Sequence, residues 1–242
     1  MPYYYGNYGG YYSVDSIYII LLLPILALSL WAQFQVSGNF QKYSRVRCRR
    51  GLTGAQAAEA VLRANDVYGV RILRCSGSLT DHYDPRNNCI YLSDPVYAAD
   101  TVAAVGVACH EAGHAVQYAK DYAPVRLRSA IIPATQFGSK FSFIALFLGI
   151  ILNFQSLLLV GIVLFGLTTF FQLVTLPVEF DASRRAVQTI DSAGLLDQEE
   201  ARGARKVLRA AALTYVAALL MSALQLLRYV LIFMSRNGRR RD

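Results

Sequence analysis

The residues best suited to chemistry are the pentapeptide at 110–114, which reads His-Glu-Ala-Gly-His. Histidines four positions apart on a helix lie on one face, so both imidazoles can reach a single zinc ion. Glu111 projects beside them, where it can accept a proton from water. Two ordinary core histidines are the alternative, but Gly113 argues against it. A glycine inside a helix costs about 1 kcal/mol relative to alanine and indicates close approach of another element. The sequence therefore predicts one catalytic Zn²⁺ held by His110 and His114.

The third zinc ligand must come from elsewhere, because a catalytic zinc takes three protein ligands and leaves one position for water. Glu179 is the favoured candidate, since it follows a long apolar region and lies just after Pro177, a residue suited to the first turn of a new helix. A glutamate at that place would point back at a metal close to the membrane. His82, the remaining histidine, and Asp181 stay as alternatives.

A helix over residues 100–118 is predicted to carry the two histidines, because small and apolar residues dominate the segment and no proline follows until Pro124. Thr53 and Gln56 have the spacing of a capping box. The elements predicted before the metal-binding helix are a capped helix at 57–64 and two strands at 70–73 and 88–92, separated by a turn-rich stretch.

Composition and apolar runs predict a membrane protein. Of the 242 residues, 55% are hydrophobic and 17% charged, and the mean hydropathy is +0.33, which excludes a disordered or purely soluble chain. The four cysteines are too few for a disulfide scaffold and suggest a reducing compartment. The apolar runs are a first span at 17–34, a helical hairpin with approximate legs at 131–152 and 155–176, and a fourth run at 210–234 that crosses the membrane or lies partly at its interface.

The net charge of +8 is interpreted as an orientation signal. Five basic residues closely follow the first span, and none precedes it, so residues 42–130 are predicted to be cytoplasmic. A hairpin returns the chain to the same side, which places residues 179–209 there as well. The basic tail at 236–241 disagrees with this orientation if the fourth run crosses. The expected location is the cell membrane, multi-pass, with the catalytic site on the cytoplasmic side.

The predicted fold is mainly α: a multi-pass membrane protein with a small zincin-like α+β catalytic domain that carries HExxH on a helix. The expected parts are an N-terminal segment and first span (1–36), a cytoplasmic zincin-like domain (37–129), a membrane hairpin (130–178), a cytoplasmic helix with the third zinc ligand (179–209), and a fourth membrane or interfacial helix with the basic tail (210–242).

Five segments of the sequence carry a family resemblance: TGA at 53–55, LTDHYDP at 79–85, VGVACHEAGHAVQ at 105–117, VTLPVEFDASRRA at 174–186 and AALTYVA at 211–217. Together they resemble the bacterial membrane-bound neutral zinc metallopeptidases. More distantly, the chain resembles gluzincins in which a glutamate ligand lies in an ExxxD-like helix. Here the position four after Glu179 is Ser183, so the orienting role of that aspartate falls to Asp181 or another acid.

The resemblance implies a zinc-dependent membrane endopeptidase with His110, His114 and Glu179 as ligands and Glu111 as general base. The developing oxyanion needs a further donor. The strand at 88–92 is expected to pair with an extended substrate by edge addition. Candidates for the oxyanion donor are Arg184, Arg185, His82, Tyr83 and Tyr118.

The expected partners are a peptide or membrane-protein substrate and the lipid bilayer. Nucleic acid is not expected, because the basic residues cluster at span ends instead of alternating with exposed aromatic residues on a soluble face. A transporter is disfavoured by four spans without repeat symmetry. The remaining alternative is a membrane pseudo-protease or scaffold that keeps zinc without peptidase activity. The sequence does not specify an oligomeric state.

Overall fold

A computed structural model describes residues 14–238, and within that range the chain is mainly helical with one small sheet. The first thirteen residues of the predicted N-terminal segment and the arginines of the tail after residue 238 lie outside the described residues. In chain order, the elements are α1 (Val14–Tyr43), α2 (Gly54–Ala64), β1 (Arg71–Cys75), β2 (His82–Asp84), β3 (Cys89–Ser93), α3 (Asp94–Tyr97), α4 (Val102–Ala119), α5 (Ala123–Ile151), α6 (Gln155–Ser192) and α7 (Gln198–Gly238).

Four of the described helices, α1, α5, α6 and α7, are long and apolar enough to cross a membrane. Many of their large apolar side chains are exposed, among them Phe34, Phe143 and Val163, as expected for helices that face lipid. The break between α5 and α6 falls at residues 152–154, beside the predicted interruption, where Asn153 adopts a positive φ of 51°.

The expectation that Pro177 begins a new helix is wrong, because Pro177 lies inside α6, which continues to Ser192. Apolar helices tolerate an internal proline when neighbouring helices satisfy the backbone groups that it frees. Residues 179–209 are therefore not one helix. They comprise the end of α6, a turn with Gly194 at φ 57°, and the start of α7.

The sheet has the strand order β1-β3-β2, with β1 parallel and β2 antiparallel to β3. The expectation that residues 88–92 offer an open edge to substrate is wrong, since β3 is the central strand and pairs on both sides. Strand β2, in a stretch that the sequence indicated as turns, is one of the two edges. The buried side chains of Ile90 and Leu92 join the sheet to α2 and α4 in one core.

Helix α4 packs tightly against α6 and α7. A Cβ on Gly113 would lie 2.7 Å from the carbonyl oxygen of Ala182 in α6, and one on Gly106 would lie 3.3 Å from Cβ of Ala204 in α7. The Thr101 side chain caps the N-terminus of α4, and the predicted capping box of Thr53 and Gln56 is confirmed at α2. The close approach that Gly113 indicated is thus the contact that brings α6 beside the two histidines.

The four cysteines all lie within the described residues and form no disulfide there. Cys109, next to the first histidine, is completely buried, and burial raises the pKa of its thiol well above the ordinary value. It therefore contributes to packing as a small apolar residue.

Candidate metal centre

Three side chains from two helices converge at one point. His110 and His114 come from successive turns of α4, and Glu179 comes from α6; one ligand atom of each lies within 4.8 Å of the others. Glu179 Oε2 is 3.3 Å from His110 Nε2 and 3.5 Å from His114 Nε2. The glutamate side chain is only 3% exposed, so its carboxylate is directed to the histidines and away from water.

The far side of each imidazole is held by a neutral oxygen. His114 Nδ1 lies 3.0 Å from Gln117 Oε1, and His110 Nδ1 lies 3.2 Å from Ser183 Oγ. The Gln117 amide is itself oriented, because its Nε2 donates to the Val178 carbonyl. The Gln117 oxygen can only accept, so the proton of neutral His114 is on Nδ1 and its Nε2 lone pair points to the cluster.

Asp181 completes this chain of hydrogen bonds without joining the cluster. Its Oδ2 accepts from Gln117 Nε2 at 3.0 Å, and it also binds the guanidinium groups of Arg184 and Arg185. Asp181 thus acts on His114 through Gln117. At the position four after Glu179, the hydroxyl of Ser183 itself contacts His110, so part of the orienting role that the sequence interpretation gave to an acid belongs to this serine.

The two oxygens of Glu179 have different surroundings. Oε1 is 3.3 Å from a guanidinium nitrogen of Arg128 in α5. Oε2 is buried and makes no hydrogen bond within the described part of the chain. A buried oxygen without a hydrogen bond is costly, and a cation between Oε2 and the two Nε2 atoms would satisfy it. Two imidazole nitrogens and a carboxylate oxygen form a donor set that catalytic zinc uses, so the residues fit the ion.

The carboxylates also affect the basicity of His114. Burial alone would lower the pKa of His114, but the interaction with Glu179 and the nearby charge of Glu111 outweigh it, so the pKa lies above its ordinary value. Glu111 is buried, at 8% exposure. It therefore lies in a partly dehydrated position beside the histidine pair.

The other candidate residues lie elsewhere. His82 is exposed, its Nδ1 is 2.8 Å from the Thr80 carbonyl oxygen, its ring stacks on Tyr91, and it is not part of the cluster. Of the proposed oxyanion donors, Arg184 and Arg185 bind Asp181. The hydroxyls of Tyr83 and Tyr118 bind Asn88 and Ser129, respectively.

The sequence analysis missed two residues beside the cluster, Arg128 and Tyr215. Arg128 contacts Glu179 directly, and the Tyr215 phenol in α7 lies close enough to Glu179, Arg128 and Glu111 to interact with all three. Tyr215 could have been found, because it lies in the motif at 211–217 that carries part of the resemblance. Arg128 had a weaker signal, a single charge at the start of an apolar run.

This arrangement defines a class: a protein with a cluster of two histidines and one glutamate that could hold a metal ion, beside helices long and apolar enough to cross a membrane. The chain belongs to the family described as "Putative neutral zinc metallopeptidase", which matches residues 18–234. It is also similar to the protein named "Putative membrane protease YugP" of Bacillus subtilis (strain 168). The two are 47% identical over 223 residues, which cover 92% of this chain and 98% of that protein. No solved structure matches the chain.

Proposed function

We propose that the protein is a zinc-dependent endopeptidase embedded in the membrane. His110, His114 and Glu179 hold one zinc ion, and Glu111 is the general base. The observation that carries the proposal is the convergence of two Nε2 atoms and a buried glutamate oxygen without a hydrogen bond. Three protein ligands leave a position open, which is typical of catalytic zinc, whereas structural zinc sites are closed by four.

The protein's own residues supply the proton transfers. The chemistry that bound zinc contributes is polarisation of the scissile carbonyl and acidification of water. Glu111 accepts the proton of the attacking water and passes it to the leaving nitrogen. The hydrogen bonds of Ser183 and Gln117 keep both imidazoles in the orientation that this chemistry needs, and the Gln117 oxygen also fixes the tautomer of His114.

Arg128 and Tyr215 are the donors best placed to stabilise the oxyanion. Arg128 is fixed next to the cluster by Glu179, and its side chain is 29% exposed. A positioned cation in a partly dehydrated site stabilises developing negative charge strongly. Arg184 and Arg185 are less suitable, because the carboxylate that positions them, Asp181, is not part of the His110-His114-Glu179 cluster.

The extended substrate pairs with β2 in this proposal, in place of the central strand. Tyr83 of β2 contacts Tyr118, which lies at the end of α4, one turn beyond His114. The two ring centroids are 5.4 Å apart. An edge strand next to the metal-binding helix can align a peptide backbone by β-augmentation. The peptide would then be held along the side of α4 that carries the histidines.

The four apolar helices and the membrane-protease relative support a multi-pass arrangement. We place the zincin-like unit at 37–129 and the ligand-bearing segment at 179–209 on the cytoplasmic side, because basic residues cluster there, and the hairpin at 130–178 in the membrane between them. The substrate is a peptide or a membrane protein that reaches the site close to the bilayer.

The test compares purified parent protein with Glu111→Gln for zinc content and peptide hydrolysis. We expect about one zinc per chain in both, and hydrolysis lower by about 10²–10⁴-fold in the variant, because glutamine keeps the shape but cannot accept the proton. Glu59→Gln on α2, an exposed site, is the matched control. Equal hydrolysis in Glu111→Gln and parent would refute the mechanism. A zinc-loaded parent that cleaves nothing in a broad peptide and membrane-protein screen would favour the scaffold.

A further inference from the structure

A groove between α6 and α7 lies along the part of α6 that follows Glu179. Its volume is about 590 Å³. Helix α6 contributes residues from Phe180 to Gln188, and α7 contributes residues from Arg205 to Leu213. Each helix contributes a charged or polar end and an apolar end. Because the helices run antiparallel, their like ends lie side by side.

The groove changes character along its length. Phe180, Ala212 and Leu213 line the end where the apolar runs of both helices begin, and Arg205 and Gln188 line the opposite end, beyond the apolar runs. Arg184 and Arg209 lie between these ends. If α6 and α7 enter a bilayer, the groove lies at the boundary between hydrocarbon and headgroups.

The arginines leave unneutralised positive charge at this boundary. Arg184 pairs with Asp181, and Arg205 pairs with Asp191. Arg209 is exposed and has no ion-pair partner among residues 18–237. Each paired guanidinium also keeps N–H groups that one carboxylate does not use. The groove therefore matches a molecule with an apolar chain at one end and an anionic group at the other.

We propose that this groove binds one anionic phospholipid. The phosphate and headgroup lie against Arg209 and the free N–H groups of Arg184 and Arg205, and an acyl chain lies on Phe180 and Leu213. Basic pockets between membrane helices near the cytoplasmic face are a known solution for anionic headgroups. Because Ser183 lines the groove and contacts His110, the bound lipid lies next to a residue that orients a metal ligand.

The test measures lipid retention on the detergent-purified full chain by native mass spectrometry, with no need for peptidase activity. The probes are phosphatidylglycerol and phosphatidylcholine of equal chain length, with glycerol phosphate as the chain-free anion. We expect one phosphatidylglycerol retained per chain, and weaker retention of phosphatidylcholine and glycerol phosphate. Equal retention of both lipids, or retention of glycerol phosphate as strong as that of phosphatidylglycerol, would overturn the proposal.

Two pairs of variants locate the site. Arg209→Gln removes the unpaired cation, and Gln188→Glu adds a repelling carboxylate without changing size. Each should weaken phosphatidylglycerol binding by about tenfold, the usual effect of losing one charge-assisted hydrogen bond. Arg202→Gln and Gln198→Glu make the same charge changes outside the groove lining and should stay within about twofold of the parent. Equal effects in groove and control variants would mean non-specific charge attraction and would refute the site.

A substrate peptide is the competing occupant. A peptide with an apolar segment followed by acidic residues should not displace the retained phosphatidylglycerol. The lipid proposal is overturned if the peptide does displace the phosphatidylglycerol and if Arg209→Gln weakens this displacement as much as it weakens lipid binding. The groove would then be assigned to peptide.

Discussion

The two halves of α6 hold their neighbours by different means. In the apolar half, Gly161 lets the backbone of α5 approach, and a Cβ there would lie 2.7 Å from the Leu146 nitrogen. After Pro177, the contacts to α4 combine the close approach of Gly113 to Ala182 with specific polar contacts, such as Ser183 to His110. Steric fit thus positions the helix in the apolar region, and hydrogen bonds orient the side chains at the metal centre. Changes in the first half should destabilise the fold, and changes in the second should mainly alter metal binding.

The largest effect is expected for Glu179→Gln, which removes the ligand charge and keeps its shape. Zinc affinity should fall by more than the roughly 10–100-fold seen for residues behind the ligands, because a ligand itself is lost. Zinc per chain after dialysis is the measurement, and membrane insertion should remain. The exposed Glu59→Gln is the control. Full zinc in Glu179→Gln together with loss in His82→Ala would instead make His82 the third ligand.

In the apolar half, Gly161→Ala should lower the free energy of unfolding by about 1–3 kcal/mol, since the added methyl group collides with the α5 backbone. Gly166→Ala is a matched control on the same helix, because a Cβ there would lie within 4 Å of no described atom outside the adjoining backbone of α6. Unfolding midpoints in detergent give the comparison, with zinc per folded chain measured alongside. A loss of zinc without a loss of stability in Gly161→Ala would break the distinction between the two halves.

The sequence alone predicted the structural features that depend on a single segment of the chain. The helix with His110 and His114, the capping box and the break near Asn153 follow from local spacing and composition. The helix start predicted at Pro177 was wrong, because tertiary packing overrides the local helix preference there. Strand β2 has only three residues and too few positions to show a period of two.

The contacts around the metal centre could not be derived in the same way. Ser183 reaches His110 across 73 positions of sequence, and Arg128 reaches Glu179 from another helix. No pattern within one segment encodes such pairs, since they depend on how α4, α5 and α6 pack. Gly113 was the exception: its cost inside a helix predicted a close neighbour, although it did not identify Ala182.

A smaller effect is expected for Ser183→Ala, which removes the hydrogen bond to His110 Nδ1. Zinc affinity should fall by about tenfold, the lower end of the range for groups that orient a ligand, while the unfolding midpoint of the metal-free protein changes little. Competition with a chelator measures the affinity. Ser142→Ala in α5 is the control, because that hydroxyl binds a carbonyl of its own helix. Unchanged affinity in Ser183→Ala would show that the contact does not orient His110.

The smallest effect is a dependence on pH, which we expect for zinc binding at the metal centre and not for packing in the apolar half of α6. The pKa of His114 is raised above its ordinary 6.5, so the imidazolium stabilises the metal-free fold fully below the unfolded pKa, and this contribution is lost as pH rises through the folded one. Zinc requires the neutral ring, so acid weakens its binding, by at most about tenfold per pH unit for one proton. The difference in melting temperature between zinc-loaded and metal-free protein should therefore shrink from about pH 8 to about pH 6. Gly161→Ala should lower both melting temperatures but leave this decrease in their difference intact. His82→Ala should also leave the decrease intact. A difference that stays constant with pH would mean that His114 does not exchange its proton for the metal.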